Sequence, residues 1–182
     1  MGIIIVLIIV AVLVLWVVGT QRSLVILDEN IKNALSQISV QLSSRFDALT
    51  ALLDLTKKYA EHESKTITET IQQRRGVITT QSTASDVASQ EGIISDALGK
   101  ISMIGEQYPE LKANTTYLQT MNSVNEYENT VRTSRMIYND SVTKLNRKIR
   151  MFPVSLIAGM LGFTQKEYLQ EDQSKITMPS MN

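Results

Sequence analysis

The sequence predicts an all-α protein: an N-terminal transmembrane helix that continues into a long antiparallel helical bundle. Three observations predict it. Residues 3–18 are an unbroken apolar run, and the first charged residue is Arg22. Proline stands only at 109, 153 and 179, so none interrupts the chain from Thr20 to Tyr108. Apolar residues then recur every three or four positions, the period of a helix with one buried face, and alternating strand patterns are missing.

The first element is the apolar run. Residues 1–19 lack charge and as a helix would be about 28 Å long, close to the ~30 Å hydrocarbon core of a bilayer. Ile and Val dominate it. A single segment in lipid can satisfy its own backbone only as a helix, and Trp16 suits the interface. A signal peptide is the rival reading. It would carry a basic leader and a small-x-small cleavage site, and only Val17-Val18-Gly19 loosely matches one. We therefore expect an uncleaved, single-pass anchor over 1–21, a helical bundle over 22–163 and a polar tail over 164–182. Arg22 and Lys32 follow the span and no basic residue precedes it. That places the bulk of the chain in the cytoplasm.

Helix one continues from the membrane with the stripe Leu24, Leu27, Ile31, Leu35, Ile38, Leu42, Leu49, Leu52 and Tyr59, giving about sixty residues in all. Helix two is expected over 64–80, with Ile67, Ile71 and Ile78 on one face. The polar stretch 79–85 reads as a turn. Helix three follows over 85–107, capped by Ser85 or Asp86, with Val87, Ile94, Leu98, Ile101 and Ile104 inward. Tyr108-Pro109 ends it. Helix four is expected over 110–151, its stripe at 117, 121, 124, 128, 131, 135, 138, 142, 145, 149 and 152. Such alternation of four and three means near-parallel packing on a partner helix. The uncharged stretch 151–163 is too short to span and reads as a buried or interfacial helix. The end of the tail is expected to fray.

Charged residues interrupt three stripes: Arg45 in helix one, Arg74 in helix two, Glu128 and Arg135 in helix four. If helices one and four run antiparallel with residue 27 opposite about 150, Arg45 faces about 132. A buried Arg45–Glu128 contact with Arg135 nearby is then expected, fixing register more than adding stability. The competing readings are that these side chains snorkel to the surface while Phe46 fills the core, or that they do chemistry.

Signals for chemistry are weak. Basic and acidic residues balance at 18 each, which argues against a nucleic-acid binder. With no cysteine there is no thiol nucleophile, disulfide or Cys-based zinc site. The single histidine, His62, sits between Glu61 and Glu63, too close in sequence to share a helical face with them. It reads as a helix-end residue complementing the dipole, against a metal or acid–base role. No phosphate-binding glycine loop appears. Arg74-Arg75 could meet a phosphate, though a helix face is the simpler reading. No catalytic residue, metal ligand or cofactor is assigned.

Arg45-Phe46-Asp47, Tyr59-Ala60 with His62-Glu63, Arg74-Arg75, the run Tyr108-Pro109-Glu110-Leu111-Lys112-Ala113-Asn114, Glu128-Asn129, Tyr138-Asn139, Asn146, Phe152-Pro153 and Gly162-Phe163 together resemble the LemA family. The resemblance runs from about residue 1 to 170. One departure stands out: where the family carries Pro and Asn after the Arg–aromatic–Asp motif, this chain has Thr50 and Ala51, so a kink expected in the family would be lost. The resemblance implies a membrane-anchored antiparallel bundle in a bacterium, with no settled enzyme activity. Some relatives are associated with membrane remodelling in magnetosomes, and others are encoded near membrane peptidases or TPM-domain proteins. The expected function is a non-enzymatic scaffold or adaptor at the inner membrane whose partners are the lipid bilayer, further copies of itself or another membrane protein. The alternatives are an accessory subunit of a membrane peptidase or envelope-stress system, and a hydrolase using His62.

Overall fold

A computed structural model describes residues 1–169. Among them are six helices and no strand: α1 Gly2–Thr56, α2 Glu61–Arg74, α3 Ala84–Gln107, α4 Pro109–Lys112, α5 Thr115–Arg150 and α6 Ser155–Ala158. The protein is all-α, and its first 55-residue helix holds a segment long and apolar enough to cross a membrane.

The element boundaries correct four expectations. Helix two begins at Glu61, three residues before the expected start, and stops at Arg74 instead of 80. Gly76 disfavours continuation, and the Gln90 side chain replaces the helical partners. Its Oε1 accepts from Gly76 N at 2.7 Å, and its Nε2 donates to Arg74 O at 3.3 Å. The cap of α3 is Thr83, not Ser85 or Asp86. Thr83 and Asp86 form a reciprocal capping box in which each side chain accepts from the other's backbone N–H. The expected helix four is two pieces. Asn114 Oδ1 accepts from Thr116 N at 2.9 Å and Tyr117 N at 3.1 Å, starting a new helix there. Finally, 151–163 holds only the four-residue α6. Ala158 is its one buried residue, and Phe152 is 78% exposed instead of closing the stripe. Through Thr50 and Ala51, α1 runs unbroken.

The chain divides into two compact units. The first holds Met1–Ala34 and Ile137–Tyr168. Leu24, Ile31, Tyr138, Val142, Leu145 and Ile149 are buried in it, whereas residues 1–15 are exposed along their whole length. Lys148 Nζ donates to Ser23 Oγ, tying α5 to α1. The start of the polar tail expected from Thr164 is held against α5 and α1. Asn146 Nδ2 donates to Lys166 O at 2.8 Å and Asn146 Oδ1 accepts from Lys166 N at 2.9 Å. Lys166 Nζ in turn reaches Asp28 Oδ1 at 3.4 Å. The end of the tail, where fraying was expected, lies outside the described residues.

The second unit holds Leu35–Met136 and Leu169. Its core is Ile38, Leu42, Phe46, Leu49 and Leu52 of α1, Ile67 and Ile71 of α2, Val87, Ile94 and Ile101 of α3, and Val124 and Val131 of α5. Glu91 meets Arg135, and Gly105 meets Tyr117, so α3 and α5 run antiparallel. A Cβ on Gly105 would lie 2.8 Å from Tyr117 Oη, so glycine permits this close approach. Between α1 and α2, Thr56 and Ser64 are both fully buried, and their hydroxyls share a 2.7 Å hydrogen bond.

Candidate functional site

Inside the second unit, burial of charge is concentrated where α1, α3 and α5 carry polar residues in otherwise apolar stripes. Arg45 is 3% exposed, and Phe46 beside it is 2% exposed, so both enter the core. Arg45 Nη2 lies 3.3 Å from Glu128 Oε2. Arg135 Nη1 donates to Glu91 Oε2 of α3 at 2.6 Å. Glu91 still acts on Arg45 through its charge.

The electrostatics of Arg45 follow from its position. Burial pulls its guanidinium below the ordinary value, while the charges of Glu128 and Glu91 pull it back up. An arginine keeps its proton in spite of this, so the core holds a permanent cation matched by two carboxylates. Its Nε is buried without a hydrogen-bond partner among the described residues, and such an orphan costs free energy. A four-residue cluster of two cations and two anions, each on a rigid helix, is suited to fixing register. Its members are two guanidinium groups and two carboxylates.

Glu91 was missed in the sequence although its signal was there. It lies four residues after Val87 and three before Ile94, an interrupted stripe position like those of Arg45 and Glu128. Arg74, expected in the same network, is instead exposed at the end of α2, lining a shallow groove with Asp96 and Lys100. Its neighbour Arg75 carries the contacts to α1: its guanidinium stands 4.9 Å over the Phe46 ring and 3.6 Å from Asp47 Oδ1, and it donates to Ser43 Oγ at 3.3 Å.

His62 is exposed in the first turn of α2, not at the C-terminal helix end expected for it, so it does not complement the negative end of a dipole. There Glu61 and Glu63 are the residues that complement the positive end. No group of three His, Asp or Glu side chains among the described residues could hold a metal ion.

The remaining motif residues fall on structural tasks. Tyr108 closes α3 and its ring lies 5.8 Å from that of Tyr59. Pro109 starts α4, where a missing N–H costs nothing, and Lys112 ends it, exposed. Asn114 caps α5. In the first unit, Tyr138 Oη donates to Glu167 O at 3.2 Å beside the Asn146 clamp. Burial first, then Glu167, pushes the Tyr138 phenol up. The carbonyls of Asn129 and Asn139 accept from Thr133 and Thr143 one turn on. Pro153 follows a cis peptide bond.

Comparison with known proteins gives a family and distant relatives. The family model described as the LemA family matches residues 34–182. Magnetosome protein MamQ 2 of Paramagnetospirillum magneticum is 35% identical over 81 residues, 44% of this chain and 30% of that protein. Magnetosome protein MamQ of Magnetospirillum gryphiswaldense is 32% identical over the same length and the same shares. Protein LemA of Metamycoplasma hominis is 26% identical over 144 residues, 79% of this chain and 66% of that protein. The match thus spans less than a third of the magnetosome proteins.

Proposed function

The chain belongs to the LemA family, and from that premise we propose that it is a single-pass, non-enzymatic scaffold or adaptor at a bacterial inner membrane, with its bulk in the cytoplasm and copies of itself as partners. The observation that carries the reading is α1. One 55-residue helix begins with fourteen exposed, uncharged residues and goes on to contribute core residues to a bundle. Exposed apolar residues on every side of a helix call for lipid. The magnetosome proteins among the relatives favour a membrane setting. The charge cluster favours a scaffold, because its residues hold helices together.

The test uses the full-length protein. Washing native membranes with alkaline carbonate should leave it in the pellet, and light scattering in mild detergent should give a mass of two or more copies. Release by carbonate defeats the anchor, and a monomer at micromolar concentration defeats self-association.

A further inference from the structure

The first unit exposes an apolar surface that the anchor alone does not explain. Phe152 is 78% exposed, Leu156 67% and Met160 87%, in a stretch without charge from Met151 to Phe163. Large side chains of this kind, exposed close together in sequence, mark a contact surface. The fold of the unit says what lies against them.

Contacts with α1 give the level of this stretch. Lys148 meets Ser23, and α5 ends two residues later at Arg150. The chain returns at Lys166, which reaches Asp28. Going down α5 therefore goes back along α1 toward its apolar end. Ser23 is five residues past Val18, the last of the apolar run, or about 7 Å of helix rise. Thr20 is buried and Trp16 and Val17 are partly covered, whereas residues 1–15 are bare. The last turn of α5 adds Arg147, Lys148 and Arg150, and Arg22 stands on α1 close to the same level.

We propose that residues 151–163 dip into the headgroup–acyl boundary of the bilayer that α1 crosses, with Phe152, Leu156 and Met160 against lipid and the basic last turn of α5 against anionic headgroups. This rests on the reading of α1 as an anchor. Short apolar segments flanked by Lys and Arg bind the interface in this way, by buried apolar area and by attraction to negative lipid. The protein then grips its membrane at two places, one through the bilayer and one on its surface.

The chain has no cysteine, so single variants can carry one fluorophore each. Leu156→Cys, Met160→Cys, Leu13→Cys and Ile137→Cys, all exposed positions, are labelled in the full-length protein. Each is reconstituted in phosphatidylcholine–phosphatidylglycerol vesicles holding lipid spin labels, either near the headgroup or near the bilayer centre. Labels at 156 and 160 should be quenched by the shallow spin label several-fold more than the label at 137, and the label at 13 by the deep one. Omitting phosphatidylglycerol should reduce quenching at 156 and 160. If 156 and 160 match 137 while 13 is quenched, the anchor stands and this proposal fails. If 13 is not quenched, the anchor reading fails and the proposal with it. Unchanged quenching without phosphatidylglycerol overturns the role of anionic headgroups.

Discussion

Arg45 and Glu128 show how a single polar residue becomes visible in a repetitive sequence. A long apolar stripe makes each exception informative, and a rough antiparallel register placed these two opposite one another. Their atoms lie 3.3 Å apart. The same reasoning, applied to helix two, pointed at Arg74, which is exposed in the last turn of α2. Since Glu128 keeps 30% of its side chain exposed, its loss should cost less than that of a fully buried partner. Glu128→Ala should cost about 2–3 kcal/mol in urea unfolding. A cycle with Arg45→Ala should give a coupling of about 1–2 kcal/mol; additive effects would remove the network. Gly105 tests packing by the opposite route. Alanine is the better helix former by about 1 kcal/mol, yet its Cβ would strike Tyr117 Oη. Gly105→Ala should lower Tm, and the same change in a Tyr117→Phe background should be neutral or raise it. No sequence pattern announces this contact, because a glycine within a helix does not name its neighbour.

At the scale of elements, periodicity located every long helix but misjudged where helices end. Ends are decided by local hydrogen bonds that compete with the backbone, and three of them involve side chains: Gln90 on Gly76, Thr83 with Asp86, and Asn114 on α5. The tyrosine–proline boundary was legible because proline acts through sterics alone, whereas the break at Asn114 depends on which way one amide turns. Asn114→Ala should cost about 1 kcal/mol and speed hydrogen exchange at Thr116 and Tyr117 without affecting α3. Equal exchange in both proteins would show that the cap is dispensable.

For the molecule as a whole, charge balance sets the pH response. Eighteen acidic side chains offset eighteen basic ones, and acid removes only the first set, leaving cations to repel each other. Two carboxylates delay that loss. For Asp28, burial raises the carboxyl, but hydrogen bonds and charges from Lys32 and Lys166 together outweigh it, so the group sits below its ordinary value. Asp86 is lowered by the Thr83 backbone and side chain. A carboxyl lowered on folding stabilises above its unfolded value, about 3.9 for Asp, and that gain disappears as pH falls through the folded value. Helicity by circular dichroism should hold from neutral pH to about 4 and fall below it. In Asp28→Asn the loss should be shallower, and an identical profile would exclude this linkage.

The Asn146 clamp has a consequence for what the sequence can tolerate. An amide that pairs with both the N–H and the C=O of one residue is indifferent to the side chain that residue carries. The returning segment can therefore drift in its spelling at position 166 and stay seated, forfeiting only its reach to Asp28. Proline alone is barred there, since it has no hydrogen to offer.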